Sequence, residues 1–311
     1  MISRRNIRVK VMQTLYTLLA THSDERDKAA AAGQRILNDK LNQSLDLFAT
    51  VVTYLTSVAQ YAETDARVRA SKYLPTEADK NVNTKIAGNE MIWLTLENDT
   101  YREKLNQANI ADKIDQDQVK KVYQTLVQTP EYEAYCADNQ RDAKSEKAII
   151  RFIWTELMVK SEDFQGFLMD EIAGWEDDKD MIFILMDNFF KNSSNINYLA
   201  LISGEKLEFA RNLLSTAIEK EEYCMELIRP KLINWEAERV AQIDLILLRL
   251  GICELLYFPT IPTKVTINEY IEIAKQYSTP QSGHFVNAVL DRLLKDFEQE
   301  KKIRKQDRPV R

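Results

Sequence analysis

Between Gly33 and Ser71 apolar residues return every three or four positions, at Ile36/Leu37, Leu41, Leu45, Phe48, Val52, Leu55, Val58/Ala59 and Ala62, with no proline among them. A mean step near 3.6 describes one face of an α-helix and no strand. The punctuation agrees: seven Gly and seven Pro in 311 residues leave most of the chain free of helix breakers. Similar stripes predict helices over 3–21, 89–97, 116–128, 131–137, 145–161, 179–192, 205–229 and 240–257, one opening at Thr266 and one at Ser282. The only strongly β-like trio, at 265–267, is too short for a strand. The expected fold is all-α.

Several function classes are poorly served. There is no G-x-G-x-x-G, P-loop, G-x-S-x-G or HExxH, and the two histidines, His22 and His284, lack an evident Ser or Cys partner. No catalysis, metal or cofactor is expected. Cys136, Cys224 and Cys253 are odd in number and far apart in sequence, which draws no disulfide framework and suits a reducing cytoplasm. No apolar stretch of about 18 residues occurs, so no membrane span is expected. The acidic stretch 161–187 reads as a solvated face.

Charge is unevenly placed. Residues 1–20 hold four cations and no acid, and residues 301–311 hold six cations against Asp307, so a net charge of −6 leaves −15 on the rest. Local potential, not total charge, decides attraction to phosphate. Arg4, Arg5 and Arg8 crowd the first turns of a helix whose N-terminus is already partially positive, a placement that favours an arriving anion. The segment 240–257 is apolar nearly all round and should be a central helix. Its charges, Asp244, Arg249 and Glu254, read as candidate buried ion pairs or, for Asp244, as a site residue. Thr266 and Glu269 have capping-box spacing, and Ser282 is placed to cap the last helix.

Three ordered strings carry a resemblance. Arg4, Arg5, Arg8, Gln13, Leu15 and Tyr16 form the first. Pro262, Lys264, Val265, Ile267, Asn268, Glu269, Ile271, Glu272, Ala274 and Lys275 form the second, and Phe285, Val286, Asn287, Val289, Leu290 and Asp291 the third. With the stretch from Glu205, they make the chain resemble the NusB family of transcription antitermination factors over about 115 residues. The expected organisation is a NusB-like helical bundle interrupted by a large insertion. Residues 1–22 and 204–298 form the bundle, 23–203 the helical insertion and 299–311 a basic tail.

The resemblance implies a non-enzymatic, cytoplasmic protein that binds single-stranded boxA-type RNA together with the ribosomal small-subunit protein NusE, within an antitermination complex on RNA polymerase that supports ribosomal RNA synthesis. It implies that Arg4, Arg5 and Arg8 hold phosphates, that Tyr277 and Phe285 stand beside the RNA, and that Asp244 and Gln281 line it, with Tyr16 toward the protein partner. Single-stranded bases stack on such rings, and arginine's planar fork suits phosphate. At about −0.7 per phosphate, three arginines and a lysine imply a log K against log salt slope near −2 to −3. Gln281 stands where the family commonly has an acid, Ala288 replaces a usual glycine and Thr266 a usual alanine. The alternative is an interaction scaffold in ribosome biogenesis that keeps the fold without reading RNA.

Overall fold

The computed structural model describes residues 2–21, 26–172, 174–200, 202–232 and 240–306; His22, Asp307, Arg308 and Arg311 lie outside them. Among the described residues regular structure is entirely helical. Helix α1 is Arg4–Thr21 and α2 is Arg26–Ala70, whose 45 residues extend about 67 Å. The chain divides into two compact units, Met1–Ile2 with Asn42–Leu201, and Ser3–Leu41 with Ile202–Arg311. The first part of α2 therefore belongs to the same unit as α1.

The unit containing Asn42–Leu201 holds the rest of α2 and then α3 (Glu77–Lys80), α4 (Glu90–Leu96), α5 (Asp99–Ala108), α6 (Gln116–Leu126), α7 (Pro130–Ala137), α8 (Ala143–Phe152), α9 (Glu162–Glu171) and α10 (Trp175–Lys191). Short polar caps start many of them: Asn89, Asn98, Asp115, Thr129, Asp142 and Ser161 each accept from an amide of the helix that follows. The α2 stripe is buried as expected, and so is most of the opposite face between residues 44 and 59. Thr50 and Thr53 enter that core because their hydroxyls donate to the carbonyls of Asp46 and Ala49 at 2.8 and 2.7 Å. Phe48 stacks on Tyr198 at 5.5 Å, and Tyr198 meets Tyr101 at 5.1 Å. Asp178 corrects the reading of the acidic stretch as wholly solvated: it is buried, and accepts from Ser44 Oγ at 2.6 Å.

The other unit holds α1, the start of α2, α11 (Gly204–Glu219), α12 (Glu221–Ile228), α13 (Gln242–Tyr257), α14 (Thr263–Tyr277) and α15 (Ser282–Gln299). The single helix expected over 205–229 breaks at Lys220. Helix α13 is buried continuously from Ile246 to Leu255. Gly251 makes that possible, since a Cβ there would stand 2.9 Å from Leu290 of α15. Arg249 pairs with Glu221 at 2.6 Å, as a buried charge on a central helix requires. The cysteines are not all apart: Cys224 and Cys253, both buried, bring their sulfurs to 3.7 Å across α12 and α13.

Two expected caps are corrected. Helix α14 begins at Thr263, so Thr266 lies inside it and its hydroxyl donates to Glu254 Oε1 at 2.8 Å. Ser282 begins α15 without capping it; its Oγ accepts from the Thr279 amide at 3.1 Å and donates to Asp244 Oδ2 at 2.7 Å. In each case a tertiary acceptor on α13 took the hydroxyl from its local partner.

Candidate nucleic-acid interface

The three arginines of α1 have different fates. Arg4 lies over the Phe209 ring at 5.6 Å and pairs with Glu205, both on α11. Arg5 makes a forked pair with Glu269 of α14, at 3.0 and 2.9 Å. Its guanidinium is held above its ordinary pKa chiefly by that hydrogen bonding. Both side chains stay open to solvent, 30% for Arg4 and 48% for Arg5.

Arg8 turns inward. Its side chain is 2% exposed, and its fork donates to Glu254 at 2.8 and 2.7 Å. Burial pulls its pKa down, but the hydrogen bonds and charge of Glu254 more than reverse that. Glu254 also accepts from Thr266 Oγ1 at 2.8 Å and from the Tyr270 hydroxyl at 3.1 Å, so four donors answer one buried carboxylate. The expectation that Arg8 holds a phosphate is corrected by this packing. An exposed ion pair is worth about 0–1 kcal/mol and exchanges readily for phosphate, whereas removing one partner of a buried pair costs about 3–5 kcal/mol.

Asp244 is also buried, at the start of α13. Through Ser282 it anchors the loop between α14 and α15, where Ser282 Oγ further meets Ser278 Oγ at 3.0 Å. That loop presents Gln281 to solvent, with Tyr277 half-buried at the end of α14 and His284 exposed in the first turn of α15. In this arrangement Asp244 positions the loop and is too buried to line an RNA itself. Phe285 is 3% exposed and sits in the core, so its ring has no open face for a base. Tyr16 is 45% exposed on α1, beside Leu19 at 41%.

Glu205, Phe209 and Ser282 carry this geometry without having been singled out for it. Their local signals were ordinary; only the packing of α11 and α15 gives them partners. The basic tail was a further surprise. Lys305 donates to the carbonyls of Glu254 and Phe258 at 2.8 and 2.9 Å, and the Gln306 amide reaches Pro259 O at 2.9 Å. The tail thereby caps the C-terminal end of α13. Burial lowers the Lys305 pKa to about 8 against an ordinary 10.5. Below about 8 both docked and released forms carry the proton and docking bears the full burial penalty. Between 8 and 10.5 the docked form sheds its proton first, so docking strengthens as pH rises. A ¹³C titration of the Lys305 Cε carbon should show a midpoint near 8 in the folded chain; a midpoint at 10.5 would mean an undocked tail.

The NusB family model matches residues 169–295. That span opens upstream of residue 204, where the sequence reading resumes the bundle. A transcription antitermination protein NusB of Salinibacter ruber is 44% identical over 101 residues, 32% of this chain and 63% of that protein. The chain thus spans somewhat under two thirds of that relative. The NusB of Methylacidiphilum infernorum is 35% identical over 139 residues, covering 45% of this chain and 93% of the relative. That of Pseudothermotoga lettingae is 33% identical over 137 residues, again 93% of its length. No solved structure matches. Relatives covered almost end to end at this identity, together with the arginine-led α1 and the α13–α15 bundle, make this chain a member of the NusB family.

Proposed function

We propose that this chain is a non-enzymatic antitermination factor that binds boxA-type single-stranded RNA together with the ribosomal protein NusE, in the complex on RNA polymerase that supports ribosomal RNA transcription. The observation that carries the reading is the pair Arg4 and Arg5, open to solvent at the N-terminal end of α1, where Arg4 lies over Phe209 and pairs with exposed Glu205 and Arg5 pairs with half-buried Glu269. A phosphate can displace exposed Glu205 at little cost and gain arginine's two-pronged hydrogen bonding, while Glu269, 3.5 Å from Arg8, keeps a second cation if it yields Arg5. The Arg5 partner Glu269 lies about 12 Å along α14 from Tyr277, at 1.5 Å per residue, so a short strand spans both. Gln281 adds an exposed hydrogen-bonding group on the Asp244-anchored loop. Tyr16 and Leu19 offer NusE an apolar pair on the outer face of α1.

The test is a titration of boxA-like RNA against the full chain at several salt concentrations, with and without NusE. With Arg8 withdrawn, two arginines and the lysine predict a log–log salt slope near roughly −2, at the shallow end of what the sequence alone implied. Arg4→Ala and Arg5→Ala should each weaken binding by about tenfold, the lower end for a charged hydrogen bond, and flatten the slope by about 0.7. A flat salt response, or unchanged affinity in the double variant, defeats the reading. Capture of NusE without any RNA binding would instead favour the scaffold.

A further inference from the structure

Helix α12 is short and thinly held, yet one of its few buried side chains is a thiol in contact with a second thiol. Of its eight residues only Cys224 and Ile228 are buried, and no side chain caps its start at Lys220. Cys253 meets Cys224 from α13, the two sulfurs 3.7 Å apart although the residues are 29 positions apart in the chain. Both side chains are fully buried and both thiols are free. The third cysteine, Cys136, is half-buried and belongs to the other unit.

The two thiols are not equivalent. A hydrogen bond donated by Cys253 holds the Cys224 thiol below its ordinary pKa, against the pull of burial and with help from the Arg249 charge. The same bond, together with burial, pushes the Cys253 thiol well up. Since the thiolate is the nucleophile in sulfur chemistry, Cys224 is the member that attacks and Cys253 the one that resolves. Access comes from α12 itself. An eight-residue helix is marginal alone, and one held by two buried side chains opens locally at lower cost than the unit unfolds. Cys253 stays in place meanwhile, on the continuously buried part of α13.

We propose that Cys224 and Cys253 form a redox-sensitive pair, which a hydroperoxide converts to a disulfide joining α12 to α13. The Cys224 thiolate attacks one oxygen of hydrogen peroxide and the O–O bond breaks. The sulfur becomes a sulfenic acid, and the departing hydroxide takes the proton that the thiol lost and leaves as water. Cys253 then attacks that sulfur. The S–S bond forms, the S–O bond breaks, and a second water leaves with the proton of Cys253. The two sulfurs give up two electrons in all, which reduce the peroxide to water, and a small thiol reverses the bond by exchange. Cys253 directly precedes Glu254, the partner of Arg8, so the bond ties α12 to the helix that anchors α1.

The test treats the reduced full chain with hydrogen peroxide, without RNA, then blocks remaining thiols with N-ethylmaleimide in urea and measures mass. The reduced chain should take three adducts, one for each cysteine. After oxidation proteolysis should release a peptide joining Cys224 to Cys253, and dithiothreitol should restore all three adducts. In Cys253→Ala, dimedone should trap a sulfenic acid on Cys224. The oxidised chain should unfold at a higher urea concentration, its unfolding constant lowered on the order of a hundredfold by the closed loop. Three adducts after oxidation, a bond made through Cys136, or sulfinic acid on the pair in place of the bond overturns the proposal. So does a urea midpoint that does not move once the bond has formed. These arms use the wild-type chain, so they stand even if Cys253→Ala fails to fold.

Discussion

Arg8→Ala should cost about 3–5 kcal/mol of folding stability, while Arg4→Ala and Arg5→Ala cost under about 1 kcal/mol each. The three arginines lie within five residues of one another, and only their surroundings separate them. Removing Arg8 strands the Glu254 carboxylate, which is 0% exposed, with two hydroxyl donors and no ion-paired cation. Replacing both members, Arg8→Met with Glu254→Met, should recover much of the loss, since a buried pair and a packed apolar pair are often close in energy. Urea unfolding midpoints decide this. An Arg8→Ala variant no less stable than Arg5→Ala would remove the buried pair as the anchor of α1 on α13.

Phe48→Ala should cost a similar amount, about 3–5 kcal/mol, by cavity formation. Phe48 is fully buried on α2 and stacks on Tyr198, whose other aromatic neighbour is Tyr101. The methyls of neighbouring side chains cannot refill a ring-sized gap without leaving their own rotamers. The loss should appear in thermal or urea unfolding. Below the transition, boxA RNA affinity should stay within about twofold of wild type, because the proposed interface uses none of the residues around Phe48. An unfolding midpoint unchanged from wild type would show that the aromatic stack carries no packing energy. A large loss of RNA affinity in folded protein would place the Asn42–Leu201 unit within the interface.

The helices were legible because periodicity is local. The stripes at 36–62 and 240–257 each announced a buried helix, and Arg249 and Glu254 were marked as charges needing partners on other helices. What remained illegible was the second covered face of α2. Threonines at 50 and 53 look polar in a sequence, but bond their own helix and so bury cheaply. Hydroxyls at Thr266 and Ser282 misled for the opposite reason: the sequence offers a near partner, and packing supplied a better one on α13.

Helical class, the core face of the major helices and the concentration of arginines at the start of α1 were legible in the chain. Each of these depends on residues a few positions apart. Which arginine faces solvent depends instead on packing between distant helices. Arg8 meets a carboxylate 246 residues away, and burying a guanidinium is tolerable solely where such a partner already waits. The same holds for Phe285 and Asp244, whose burial depends on how α13, α14 and α15 close around Gly251 and Ser282. A side chain's chemistry is written in the chain; its access to water is set by what packs on top of it.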